Sequence, residues 1–442
     1  MTSPQMPPTR LPLRQRLILS LLYLFLVMDV LAGPARFYLA QAGLAELIYL
    51  PKTLIIGTVI ASVLRTLYFG RLRPVFTVVL SLLVIFALVG WGFTGNPLQP
   101  AFGIFTLLPL IYAVLAEPAL RQMGPRIRPY ITLLWCTVAL GVIIDNQLAL
   151  PWTGQAYELG GTEIQGSVEW TTFGVERAAG FARASFEAAD QLLLLALPLM
   201  VLYRSVTLKL MLWLTTGALI YLTTTKKTGG TFLLLTVLLP LINPMFAPTL
   251  IRHAITTTLP IAVAIVGIGL PISTLFITYQ LNLDNVVSQV LFASFEDRLT
   301  ASWPASMELA MAHGNALLGR GIGGIGAAQK HFEPLLYMPG DNLYVYLYVT
   351  FGLLAFGFVA TYVWNLVRLD IHSSPWNRIV WAMGVAVLLN GWANNGVESS
   401  ITASILGLTL ASAYAARRGR RAPEPLYPGL SPAPAPRGLA TP

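Results

Sequence analysis

The chain has 442 residues, 55% of them hydrophobic and only 11% charged, with a formal net charge of +9. A soluble protein carries about a quarter charged residues, so these charges cannot cover the two or three domains that such a length would otherwise build. Soluble enzyme, nucleic-acid binder and disordered scaffold are excluded, and the composition predicts an all-α, polytopic membrane bundle.

Taken in chain order, Arg10, Arg14 and Arg16 precede an apolar run from Leu17 to Leu31. An inner segment 1–16 followed by an uncleaved first span fits better than a signal peptide, because many apolar runs follow. A bilayer crossing takes ~20 mostly apolar residues. Helices are expected near 17–33, 47–66, 75–94, 101–118, 130–146, 186–203, 208–224, 230–246, 255–278, 342–366, 377–394 and 398–415. These twelve spans make one membrane domain, 17–415, with both termini on one side. Nineteen of the 28 Lys and Arg residues fall in segments this count places inside, as the positive-inside rule requires. The basic charge therefore reports topology and calls for no nucleic acid. Two long outer connections, 147–185 and 279–341, remain, with a Pro- and Ala-rich tail, 416–442, expected to be disordered. Cys136 lies in an apolar run, and no Cys/His spacing suggests a metal site.

Four outer-face groups stand out once topology is accounted for. Arg177 and Arg183 close the first long connection, where they serve either as partners for Glu176, Glu187 or Asp190 or as anion contacts. Lys226 and Lys227 sit in a Thr-Thr-Thr-Lys-Lys-Thr-Gly-Gly hairpin, either snorkelling to the interface or meeting an anion beside the backbone amides of Gly229 and Gly230. In the second connection a helix over about 296–318 is expected to end at Gly319. The Gly-rich run 319–326 that follows, with Arg320, reads as a flexible turn or as a phosphate cradle. Last, Asp341 and Asn342 precede a span, as helix-cap residues or with Asp341 as a general base. Glu398, between the last two spans, is a second candidate base.

The order of these features resembles the bacterial O-antigen polymerase and O-antigen ligase superfamily. Arg-Ala-Ala-Gly-Phe opens one span, the Lys-Lys hairpin follows, and the long loop carries Asp297-Arg298, Trp303 and Leu-Leu-Gly-Arg-Gly-Ile-Gly before Asp341-Asn342-Leu-Tyr. The resemblance covers about residues 170–365 and the overall span plan. It implies a membrane glycosyltransferase of the bacterial inner membrane, with its site facing the periplasm. The donor would be a glycan on undecaprenyl diphosphate, the acceptor a lipid-linked glycan or lipid A core, and a chain-length regulator is a further candidate partner. Lys226 stands where many relatives have arginine, and Asp341-Asn342 where ligases typically have a histidine motif, which favours a repeat-unit polymerase.

On this basis Arg177, Lys226, Lys227, Arg298 and Arg320 would stabilise the departing diphosphate, with Asp341 the first-choice base and Glu398 the second. Arg183, Asn342, Trp303 and Tyr344 would line the glycan and acceptor loop. Trp303, Tyr337, Tyr344 and Tyr346 could instead form the interfacial aromatic belt. No Asp-x-Asp metal motif lies on the outer face, so no cofactor or metal is expected. Displacement opposite the diphosphate would invert the anomeric carbon. A ligase remains the alternative in the same class, and a lipid or polysaccharide flippase the alternative in another. Transport calls for ionisable residues inside spans; the embedded candidates are Asp29, Glu46, Lys52 and Asp145.

Overall fold

A computed structural model describes residues 11–69, 74–159, 162–172, 174–242 and 247–420. The first ten residues, Arg71, Arg73 and the expected tail after Arg420 lie outside the described residues. The helices run α1 (Leu13–Val30), α2 (Ala32–Gln41), α3 (Leu50–Phe69), α4 (Pro74–Thr94), α5 (Leu98–Met123) and α6 (Arg128–Asp145). Then come α7 (Ser185–Leu202), α8 (Val206–Leu222), α9 (Lys226–Leu241), α10 (Thr249–Ser273), α11 (Val286–Asp297) and α12 (Trp303–Ala312). The series closes with α13 (Ala327–Phe332), α14 (Leu343–Phe351), α15 (Leu354–Arg368), α16 (Pro375–Asn390) and α17 (Ser400–Arg420).

Each of the twelve expected segments overlaps helix among the described residues, though their bounds differ. By length and hydropathy, five helical stretches can cross a bilayer: 45–69, 74–94, 98–145, 185–202 and 249–273. The pair α1 and α2, bent by 83°, makes a sixth if it is one span; α8, α15 and 400–415 are apolar but shorter. Burial sorts them. The apolar window of α7 is 72% buried and that of α4 only 22%. A helix apolar all round belongs in the middle of a membrane bundle, and α7, α16 and much of α5 occupy it.

Two breaks depart from the straight spans read from the sequence. The elbow between α1 and α2 is fixed by Gly33, where an added Cβ would lie 2.7 Å from the Trp152 ring. The Gly33 N–H also donates to the Phe181 carbonyl at 2.9 Å. The second break divides the expected span 342–366 at Gly352, whose φ of +58° puts it in the left-handed region. The carbonyls freed there, Val349 and Thr350, accept from the N–H groups of Arg320 (2.7 Å) and Gly321 (3.0 Å). Irregular backbone survives at such depth only when protein satisfies it.

The Gly-rich run is therefore neither a flexible turn nor a phosphate cradle. The Ile322 N–H is spent on Phe86 O of α4 at 2.9 Å, and residues 319–326 are buried. Gly321 and Gly323, with φ of +76° and +87°, press directly on the backbones of α4 and α5. The helix expected over 296–318 also differs. It starts at Val286 behind an Asn285–Ser288 capping box and ends at Ala312. A π-turn at Arg298–Ser302 interrupts it, placed where Pro304 has no N–H to donate. The first long connection carries two antiparallel hairpins, β1 (Ala156–Leu159) with β2 (Thr162–Gln165) and β3 (Thr171–Thr172) with β4 (Val175–Glu176).

Candidate functional site

Three of the cations expected at a diphosphate come together. The turn Thr223–Thr225 joins α8 to α9, making Lys226 and Lys227 the first residues of α9. Arg177 lies against this turn, donating from Nη2 to Thr225 Oγ1 at 3.2 Å and from Nε to Thr223 O at 3.4 Å. Lys226 Nζ reaches the Val290 carbonyl of α11, and both Arg177 and Arg298 lie within electrostatic reach of it. Arg298 donates to Ser294 Oγ at 2.6 Å and pairs with Asp341 at 3.7 Å. Its Nε is buried without a partner. These residues form a rim.

Behind the rim lies a deeper polar centre. Arg36 of α2 donates from Nη1 to Gly166 O at 3.3 Å and lies within electrostatic reach of Arg183, Glu187, Tyr157 and Tyr49. Lys52, in the first turn of α3, faces Asp29, Arg36, Glu398 and Arg183, with Nζ 4.5 Å over the Phe105 ring. Arg183 is held by its carbonyl, which accepts from the Val168 N–H at 2.9 Å and Ser167 Oγ at 3.3 Å. The Asp145 carboxylate fixes the bend between Arg177 and Arg183, accepting from the N–H groups of Ala179 (2.7 Å) and Gly180 (2.8 Å). Gly180, at φ +64°, packs on Gly141 so closely that a Cβ would lie 2.6 Å from its carbonyl carbon.

These charges converge without closing on one another. Among the described residues, ion pairs within 4.0 Å join Lys227 to Asp190, Arg298 to Asp341 and Arg320 to Glu333, and none joins Arg36, Lys52 or Arg183 to the carboxylates they face. Arg36 Nε, Arg183 Nε, Ser185 Oγ, Gln191 Oε1 and Tyr157 Oη are buried without partners. Buried polar groups are normally satisfied; here donors (Arg36 Nε, Arg183 Nε), hydroxyls and the Gln191 acceptor oxygen stand unpartnered between cations that form no ion pair.

Glu398 borders this centre. Both its oxygens accept from the Ala327 N–H, at 2.9 and 3.1 Å, and Asn395 reaches it at 3.5 Å. Burial pushes its pKa up to about 7, against the pull of that N–H, of Asn395, and of Lys52 and Arg183. Tyr337 faces both Asp341 and Glu398, which ties the rim to the centre.

Several expected site residues are spent elsewhere. Arg320 is 1% exposed and donates to His313 O, Gly324 O and Glu333, so it pins the glycine loop and faces no ligand. Asn342 is fully buried, capping α14 through the Tyr344 and Val345 N–H groups and donating to Trp392 O. Trp303 and Tyr344 are 1% and 4% exposed, with Tyr344 Oη on Leu388 O at 3.2 Å; neither presents a ring to a glycan. Gly229 lies inside the first turn of α9, its N–H on Thr225 O. Lys227 pairs with buried Asp190 at 2.6 Å, where Thr228 and Asn390 also donate. Breaking a buried pair leaves an uncompensated charge, so Lys227→Met should cost about 3–5 kcal/mol. A matching Asp190→Asn change should recover most of the loss, read from thermal unfolding of the purified variants.

Arg36 escaped the sequence reading, and Lys52 entered it only as an embedded charge. The available signal was that neither belongs to an inner segment. Compared with models of protein families and with curated proteins, the chain matches none.

Proposed function

We propose that this chain is a polyprenyl-diphosphate-dependent membrane glycosyltransferase of the O-antigen polymerase and ligase kind, acting on the periplasmic side of the inner membrane. The observation that supports it best is the convergence of unpaired Arg36, Lys52 and Arg183 beside Glu398, at the end of a bundle of apolar helices. A diphosphate leaving group needs charge stabilisation more than a proton, and preorganised cations with free N–H donors supply it. The acceptor hydroxyl oxygen bonds to the anomeric carbon as the bond to the diphosphate oxygen breaks. The electron pair leaves with the diphosphate, and the hydroxyl proton passes to Glu398. Attack from the opposite face inverts the anomeric configuration.

Glu398 takes the base role ahead of Asp341, because a base works best with a pKa near the working pH. Asp341 is half-exposed and engaged with Arg298. Asp341-Asn342 in place of a histidine motif favours a polymerase over a ligase. The test is purified protein in liposomes with a synthetic polyprenyl-diphosphate oligosaccharide, where the expected result is a longer glycan and free polyprenyl diphosphate, unaffected by EDTA. No product overturns the reading, and loss with EDTA restored by a divalent ion overturns its metal-independent form. A deletion strain with single-repeat cores would mark a polymerase, bare cores a ligase.

One observation favours a transporter instead. Asp29, Arg36, Lys52 and Glu187 all lie within helices of the apolar segments, and charges placed there often mark a transport path. Reorientation of a lipid-linked glycan across the same liposomes without bond cleavage would select that reading.

A further inference from the structure

A cleft that the charged centre does not use lies at the end of the bundle that the charge count places inside. Arg128, Thr132 and Cys136 recur every fourth residue of α6 and so share one of its faces. The turn from α7 to α8 sets Tyr203, Arg204 and Ser205 opposite that face, and these residues line a cleft of about 690 Å³. The Arg128 guanidinium lies 5.5 Å from the Tyr203 ring centroid. Thr132 Oγ1 donates to Arg128 O at 2.9 Å, which makes the Tyr203 hydroxyl the donor in its 3.0 Å contact with Thr132. The ring under the arginine is thereby held in place. Among the described residues, no carboxylate lies within 4.0 Å of Arg128 or Arg204. The helix α8 starts here behind its Ser205 cap, so the positive end of its dipole adds to the two guanidinium charges. Arg128 and Asp145, which braces the charged centre, mark opposite ends of α6, ~25 Å apart at 1.5 Å per residue.

We propose that this cleft seats the headgroup of an anionic phospholipid of the inner leaflet; the proposal stands apart from the glycosyltransferase reading. The positive-inside bias accounts for arginines at this end of the bundle. It does not account for two of them, from connections far apart in the chain, lining one hollow. A guanidinium fork matches a phosphate, which it meets with two parallel hydrogen bonds. Position selects a lipid over a soluble phosphate: Leu133 and Leu208 line the same cleft and are exposed, so a phosphate at the arginines has apolar walls beside it for acyl chains. Net charge then selects among lipids. A zwitterionic headgroup carries its own cation into a hollow whose two arginines have no carboxylate partner, whereas an anionic headgroup brings only the charge they lack. The cytoplasmic leaflet, with its negative surface potential, supplies such lipids.

The test is native mass spectrometry of the purified full chain in neutral detergent, titrated with phosphatidylglycerol or with phosphatidylcholine. The wild type should hold one phosphatidylglycerol at least tenfold more tightly than phosphatidylcholine. The double variant Arg128→Gln/Arg204→Gln should lose that preference. Arg121→Gln/Arg126→Gln removes the same charge near the same end of the bundle but outside this cleft, and should keep it. Leu208→Trp fills the cleft without altering charge and should lose it, which separates the cleft from any effect of the arginines on folding. A wild type without the preference, equal loss in the two double variants, or full retention by Leu208→Trp overturns the site. Displacement of the bound lipid by equimolar glycerol phosphate overturns the lipid assignment in favour of a soluble phosphate.

Discussion

On the proposed reading, Glu398→Gln should lower glycan transfer by about 10²- to 10⁴-fold, the span that a positioned general base contributes, and should remove the pH dependence below neutrality. In the wild type, burial holds the carboxyl at about 7. It is protonated below that pH and a competent base above it. The kcat/KM of the wild type should therefore rise about tenfold per unit up to pH 7 and level off beyond. The glutamine variant should show a low, flat profile over the same range, because it keeps the shape and the Ala327 contact but accepts no proton. Asp341→Asn is the contrasting variant: it should retain the wild-type inflection. A wild-type profile without the inflection, or one that Asp341→Asn abolishes, returns the base role to the rim.

Arg183→Ala and Arg36→Ala should each lose about 100- to 1000-fold in kcat, the usual consequence of removing one preorganised contact to developing charge. On the proposed reading both meet the same departing oxygens, so the double variant should lose less than the product of the single losses. Arg183→Lys should recover only part of the rate, since an ammonium supplies charge without the planar fork. Arg177→Ala, at the rim and engaged with the turn at Thr223–Thr225, should change KM more than kcat. The measurement is steady-state transfer by variants matched for unfolding temperature. Arg183→Ala at wild-type rate would place the diphosphate elsewhere.

The helical character of the chain was legible because each apolar run carries its own evidence, in length and in the loop charges that flank it; five or six of the helical stretches are long and apolar enough to cross a bilayer. Arg177, Lys226 and Arg298 were legible as a group because topology left them unexplained on one face. The centre behind them was not. The run 17–33 reads as one straight span, and the elbow that brings in Arg36 depends on Gly33 fitting under Trp152, far along the chain. Arg320 looks from sequence like any other outer cation. Only the fold shows that Glu333, with Gln99 donating to it at 2.7 Å, already owns it. Asn342, Trp303 and Tyr344 fail for a similar reason: a residue next to a span gives no local sign of which helices will bury it. The sequence ranks Asp341 ahead of Glu398 and cannot say which is desolvated; burial of Glu398 is what favours it in the proposed reading.

The backbone seam between the glycine loop and the interrupted helix constrains how the molecule is made. Residues 319–322 precede α14 in the chain, so the Val349 and Thr350 carbonyls that accept from Arg320 and Gly321 are made after them, whereas Phe86, which accepts from Ile322, is made long before. The seam thus ties the last third of the fold to the first: until α14 is in place, Arg320 and Gly321 lack the carbonyls they donate to, so this stretch of the fold closes late and all at once.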